Sequence, residues 1–361
     1  MPTVRFLQVE PTTRCNFTCS FCAGRYMEQE DLPLPRFLEM IDALPDVEHL
    51  ELQGEGESLM HPSFLDMVRA ARARGVKVSL ISNGSYLSLG LVERLLDLEI
   101  EKISISMESA DAATFRQIRG GKLEKVVRGI ELLLEERRQR RLTKPVVGLS
   151  ITVLRDTQDH LGGILDLYHR LGLDGGVTLQ PLSTMPPYLK NYPQGLQQQV
   201  LSDAEVNGLW VQFYANPRVR AITRAKQRTG IRGFYDELMA DFRPMRKSCP
   251  WLESGLYVNR RGEASACCMV KDTERFGFGR IGETPLPQIL ERRERMRETL
   301  ARGEEPAACG GCELSRFARM TRLGLVAFAL RGLWMRLLPE CLLRRLRPAR
   351  PRRSLPLLPS A

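Results

Sequence analysis

The stretch "EPTTRCNFTCSFCAGR", Glu10 to Arg25, sets three cysteines as Cys15-x3-Cys19-x2-Cys22 with no fourth cysteine nearby. A structural zinc site normally closes with four ligands, and the nearest histidine, His49, sits in the next strand pattern. A [4Fe–4S] cube held by three thiolates leaves one iron open to an external ligand. The loop follows "VRFLQVE" (Val4–Glu10), which reads as a strand, so the cysteines fall at a strand's carboxyl end, where α/β proteins place ligands. Reduced cysteines packed in a core are the alternative, and spacing this tight disfavours it.

Outward from this loop, strand and helix patterns alternate. "VEHLELQGEGE" (47–57), "VKVSLISNGS" (76–85), "EKISISMES" (101–109), "PVVGLSITVLR" (145–155) and "GVTLQPLS" (176–183) read as strands. Helical spacing fills 34–44, 63–75, 89–98, 123–141 and 160–172. Six strands with intervening helices imply βα units on a parallel sheet, too many for a small sandwich and too few for a closed eight-stranded barrel. After Ser183 a proline-rich loop, "STMPPYLKNYPQG", breaks the pattern, residues 199–248 are partly helical, and 249–315 hold five cysteines and many glycines.

The formal charge of +10 is confined to one end. Residues 316–361 contain eleven arginines and a single acid, Glu340, and the rest of the chain sums to zero. A basic tail on a neutral body, without interleaved aromatics for base stacking, argues against nucleic acid as partner. Within the tail, Leu330, Leu333, Trp334, Leu337 and Leu338 recur at helical spacing. Its apolar run is too short to span a bilayer, so the tail either lies on an anionic membrane surface or packs on the protein itself. The opening residues lack a signal peptide's apolar stretch, and nine cysteines would be an odd disulfide framework in a cytosolic chain. The expected location is the cytoplasm, with peripheral contact at the inner face of the membrane as an option.

The cysteine spacing after a first strand resembles the radical S-adenosylmethionine (SAM) superfamily. That resemblance implies a partial (βα)6 barrel over residues 1–198 and a cluster at Cys15, Cys19 and Cys22 whose open iron is chelated by SAM. It also implies reductive cleavage of SAM to a radical that abstracts a substrate hydrogen, with a reductant such as flavodoxin or ferredoxin as partner. By the same likeness Phe21 packs near adenine, and Gly54, Glu55, Gly56 and Glu57 hold the methionine amine. Glycine allows a close backbone approach, and a carboxylate accepts charge-assisted bonds. Ser58 stands where proline is common in the family. Ser82 and Asn83 would face SAM, Ser106 and Glu108 would bind methionine carboxylate or ribose, with Glu108 replacing the usual aspartate, and Arg119 would meet a carboxylate, a surface charge being its alternative. Ser150 and Gln180 are expected against SAM or substrate.

A second set, Cys249-x17-Cys267 and Cys309-x2-Cys312, supplies four thiolates, enough to close either zinc or a [4Fe–4S] cube. The set is similar to the SPASM/twitch extension of radical SAM enzymes, which implies one auxiliary cluster in a shortened domain at 249–315, after a connecting segment at 199–248 and before the arginine-rich helix and tail at 316–361. Cys268 and Cys341 fall outside that set and read as packed thiols. Two [4Fe–4S] clusters and SAM are thus the expected cofactors. The expected activity is oxidation of a hydroxylated small molecule, sugar or lipid-linked precursor, the auxiliary cluster taking one electron. A peptide- or protein-modifying maturase is the alternative within the class, and a zinc-bearing nucleic-acid binder the alternative outside it. The strand pattern begins near residue 4, which lowers the expectation of an N-terminal leader-peptide domain. Arg155, Tyr188, Lys190 and Tyr192 are candidate substrate contacts, and the loop tyrosines are as readily solvated loop. No general base stands out.

Overall fold

A computed structural model describes residues 3–330 except 187, 189–191, 193, 194, 241, 325, 328 and 329. Lys190, Cys341 and most of the arginine-rich tail lie outside the described residues. Six parallel strands follow one another in chain order: β1 (Phe6–Val9), β2 (His49–Leu52), β3 (Lys77–Ser82), β4 (Lys102–Ser106), β5 (Val146–Val153) and β6 (Val177–Pro181). Helices α1 (Leu34–Ala43), α2 (Phe64–Ala73), α3 (Leu89–Asp97), α4 (Ala112–Arg119), α5 (Leu123–Gln139) and α6 (Leu161–Arg170) make the crossovers. The expected α/β architecture of a partial barrel is therefore present.

The alternation of each strand sorts its two faces. Leu7, Val9, Leu50, Leu52, Val78, Leu80, Ile103 and Ile105 share one buried apolar cluster with Phe37, Met40, Met67, Val68 and Leu95 of the helices. Each such side chain fully withdrawn from water contributes roughly 1.5–3 kcal/mol. The intervening residues Gln8, Glu51, Ser79, Lys102 and Ser104 are polar and face an internal cavity. The pattern is not the continuous apolar run of a sheet covered by helices on both faces. The cavity is the reason.

Helix α4 has no counterpart among the helical stretches read from the sequence. Asp111 caps it, Oδ1 accepting the Thr114 N–H at 2.8 Å, and Gly120 ends it in the left-handed region with φ +69°. Its short, weakly apolar run gave little periodicity to read.

Beyond β6 come helices Asp203–Ala215, Pro217–Thr229 and Phe234–Leu238. The cysteine-rich segment then rejoins the barrel. β7 (Gly255–Val258) pairs parallel with β1, Phe6 opposite Gly255 and Val9 opposite Val258. β8 (Glu263–Ser265) and β9 (Gly279–Arg280) continue antiparallel, so among the described residues one sheet carries nine strands. Two buried arginines fix this junction. Arg293 donates to the carbonyls of Gly255 (2.9 Å) and Thr3 (3.2 Å), binding the start of β7 to the start of the chain. Arg260 lies 3.6 Å from Glu10 and 3.0 Å from Glu30, clasping the β7–β8 turn to the cysteine loop. Among the described residues, no helix is long and apolar enough to cross a membrane.

Candidate functional site

Two cavities adjoin inside the barrel. The smaller, about 350 Å³, is lined by Cys15, Cys19 and Cys22 and by the carboxyl ends of β2, β3, β4 and β6. The three cysteines are free thiols. Burial raises the pKa of all three; Cys19 is pushed up to about 11, and the Glu55 carboxylate adds to the rise at Cys22. Among the described residues, no three Cys, His, Asp or Glu side chains are grouped as ligands of a single metal ion. Three separate thiols on one wall suit a larger inorganic group, whose iron would take the place of the protons. His49 is not available as a fourth ligand: its ring stacks on Phe6 at 5.2 Å, at the other end of the strand.

The turn after β2 lies directly on the cysteine loop. A Cβ at Gly54 would sit 2.2 Å from Cγ of Glu10, and one at Gly56 would sit 2.5 Å from the carbonyl oxygens of Thr12 and Arg14. Both glycines are needed for this packing, a reason distinct from approach to a ligand. Gly54, Glu55, Gly56 and Glu57 all line the smaller cavity, but the carboxylates already have partners. Glu57 accepts from Ser82 Oγ (2.8 Å) and from the N–H groups of Asn83 (2.6 Å) and Leu59 (3.2 Å), although burial still raises its pKa. It holds the end of β3 against the turn. Glu55 accepts from the Tyr188 hydroxyl at 2.9 Å and pairs with Lys271 Nζ at 2.9 Å.

Phe21, Ser82, Asn83, Ser106, Arg119 and Gln180 also line the smaller cavity. Asn83 Nδ2 lies 3.8 Å from Cys15 Sγ and 2.9 Å from Asn16 Oδ1. Arg119 is buried, not a surface charge, and its guanidinium donates to Glu108 Oε2 at 2.6 Å. Its Nε–H is buried with no hydrogen-bond partner among the described residues, and its guanidinium lies over the rings of Phe17 (5.7 Å) and Phe115 (5.9 Å). Glu108 stands behind Arg119 instead of on the wall. Ser150 lines only the larger cavity. Tyr188 and Tyr192 pack ring to ring at 6.1 Å on the wall of the smaller cavity, so neither is a solvated loop residue. Arg155 is engaged elsewhere: it pairs with Glu205 and donates to the carbonyls of Gln198 (2.9 Å) and Val200 (2.6 Å), and it lines neither cavity.

The larger cavity, about 660 Å³, fills the barrel interior. It shares Gln53, Gly54, Glu55, Gln180, Leu182, Tyr188 and Met269 with the smaller one, so the two are continuous. Cys312 and Cys268 line it, Cys268 beside the junction of the two cavities, where its carbonyl lies 3.4 Å from the Tyr188 hydroxyl. Cys249, Cys267, Cys309 and Cys312 are close together: burial has the larger effect, and the Cys312 thiolate would raise Cys249, Cys267 and Cys309 further, with Cys249 adding at Cys267 and Cys309. Cys268 acts on Cys267 as well, and it also interacts with Lys271 and Tyr235 and lines the cavity.

Lys271, two residues beyond Met269, has no motif to announce it. It is buried among Glu55, Tyr188 and Tyr257, with the Tyr257 ring 5.0 Å from Nζ. Burial alone would lower its pKa, but the Glu55 carboxylate outweighs that and holds it raised. The same pair keeps Glu55 ionised despite its burial. Lys271→Met should therefore lower unfolding stability by about 3–5 kcal/mol, because it strands a buried carboxylate. Adding Glu55→Gln should restore more than half of that loss in denaturant titrations. A single variant as stable as the parent would show that the pair is not energetically coupled.

Comparison with known proteins agrees with this geometry. The family model of the radical SAM superfamily matches residues 9–168, and that of an iron–sulfur cluster-binding domain, SPASM, matches residues 249–313. The chain belongs to the radical SAM superfamily and is an enzyme that uses SAM and iron–sulfur clusters. A Pyrococcus furiosus protein, named a tungsten-containing aldehyde ferredoxin oxidoreductase cofactor-modifying protein, is 27% identical over 189 residues, 51% of this chain and 53% of its own length. The AdoMet-dependent heme synthase of Nitratidesulfovibrio vulgaris is 23% identical over 332 residues, 86% of this chain and 85% of its own. A GTP 3′,8-cyclase of Mesorhizobium japonicum is 30% identical over 200 residues, 51% of this chain and 56% of its own. The match thus spans about half the length of two of these relatives. In fold, the chain is similar to Streptococcus suis SuiB bound to its precursor peptide SuiA (TM-score 0.63, 13% identity, covering 88% of this chain and 71% of that one). It is also similar to anSMEcpe with bound AdoMet (TM-score 0.62, 14% identity, 94% and 97%).

Proposed function

We propose that the enzyme takes a hydrogen atom from an uncharged, hydroxylated small molecule or glycan precursor held in the barrel interior, and that one electron then passes to a single auxiliary [4Fe–4S] cluster. The observation that carries this reading is the pair of adjoining cavities, the smaller lined by Cys15, Cys19 and Cys22 and the larger by Cys312. Cys15, Cys19 and Cys22 would hold the cluster that binds SAM, and Cys249, Cys267, Cys309 and Cys312 the auxiliary one. When bound and reduced, the first cluster and SAM together supply a carbon radical able to abstract hydrogen. The rest falls to side chains. Asn83 and Arg119 offer donors to the carboxylate of SAM, Phe21 and Leu182 offer apolar surface to its adenine, and Tyr188 and Tyr192 separate the SAM end from the substrate end. Ser104, Ser150, Thr178 and Gln180 give the barrel floor hydroxyl and amide groups that can hold hydroxyls of a substrate.

The heme synthase, which matches over most of both chains, and the cofactor-modifying relative both bear names of small-molecule chemistry, in keeping with this reading. The peptide-modifying alternative has a likeness of fold behind it and nothing further. Deuterium tracing separates the two. A metabolite extract from cells grown in deuterated medium is divided into dialysable and retained fractions, and each is given to the anaerobically reconstituted enzyme with SAM and reductant. Deuterium should enter 5′-deoxyadenosine with the dialysable fraction. Transfer only from the retained, peptide- and protein-bearing fraction would overturn the small-molecule reading. Reconstituted protein should carry about eight irons, two cubes' worth.

A further inference from the structure

Glu51 lies in mid-strand on β2, in one row with Gln8 of β1, Ser79 of β3 and Lys102 of β4. It is 2% exposed and lines the larger cavity. Its polar neighbours all have partners. The Tyr235 hydroxyl lies 2.8 Å from Gln8 Oε1 and 3.0 Å from Gln53 Oε1, and Lys102 Nζ is 3.3 Å from Asp236, which also pairs with Lys226. Glu51 alone in this row has no hydrogen bond or ion pair among the described residues. A buried carboxyl without a partner is costly to keep, and burial pushes this one up to about 8. Apolar groups line the same cavity: Trp210 from the helix Asp203–Ala215, Phe234 from the helix Phe234–Leu238, and Trp251.

We propose that Glu51 anchors the substrate by accepting a hydrogen bond from its hydroxyl group, while the apolar face of the substrate lies against Trp210, Phe234 and Trp251. The inference rests on the reading of the larger cavity as the substrate site. Charge selects a hydroxyl over an ammonium. Lys102 and Lys226 share the single carboxylate of Asp236, which leaves one positive charge to offset an ionised Glu51. A cationic substrate would add an unbalanced buried charge, whereas a hydroxyl adds none. The cavity volume is within the range that encloses a drug-sized ligand.

The probes are 2-naphthol and 2-fluoronaphthalene, similar in shape and differing in the hydroxyl donor. Equilibrium dialysis at pH 9, where Glu51 is ionised, against the full, cluster-loaded chain without reductant should give about tenfold tighter retention of 2-naphthol, the scale of one hydrogen bond to a charged acceptor. Glu51→Leu should bring the two within about twofold. Glu51→Gln, which keeps the shape of the side chain and guards against misfolding of the leucine variant, should reduce the preference severalfold. Both variants should still form 5′-deoxyadenosine from SAM on reduction, the sign that the barrel is folded. No preference in the parent, an undiminished preference in Glu51→Gln, or no retention of either probe would overturn the assignment. Because dialysis requires neither SAM cleavage nor turnover, failure here is distinct from failure of the deuterium experiment.

Discussion

Replacing Cys15, Cys19 and Cys22 together by alanine should abolish reductive SAM cleavage and lower bound iron to about half, the content of one remaining cube. The three thiols share one cavity wall, and Arg119 lines the same cavity. The auxiliary set lies beyond the larger cavity and should load unchanged. The measurements are iron and sulfide content, together with 5′-deoxyadenosine formed under dithionite. Undiminished 5′-deoxyadenosine from the triple variant would refute the assignment of the catalytic cluster.

Replacing Cys309 and Cys312 together by serine should also halve the iron, with the opposite functional outcome. SAM cleavage and deuterium transfer into 5′-deoxyadenosine should continue, and the oxidised product should disappear. A cluster closed by four protein thiolates has no free iron with which to chelate substrate, so its natural use is to accept an electron. Unchanged iron in this variant would refute the ligand set. Unchanged product would leave that set intact but remove its redox role.

The order of βα units was legible because alternation of apolar and polar residues reports a strand with one covered face. Likewise, three closely spaced cysteines mark a metal loop whatever surrounds them. Other features had no such local signal. The partners of Glu55 and Glu57 come from three separate parts of the chain, Ser82–Asn83, Tyr188 and Lys271, and no spacing rule joins them. Arg155 sits just past a strand end, the position expected of a substrate contact, yet Glu205 and two backbone carbonyls already engage it. Glu51 was hidden by its own strand: in "HLEL" a polar residue between leucines reads as solvent-facing, when here the strand's second face is the wall of a cavity. The interior of a partial barrel inverts the usual meaning of alternation.

The pairing of β7 with β1 has a structural consequence. Were the cysteine-rich segment removed, β1 would become a bare edge, a row of unmet N–H and C=O groups able to template association with other chains. The strand that leads into the first cysteine set is thus sheltered by the segment that carries the second. Loss or exchange of that segment would require another way to cover the seam, so a change to the second set that unseats β7 reaches the first through the sheet.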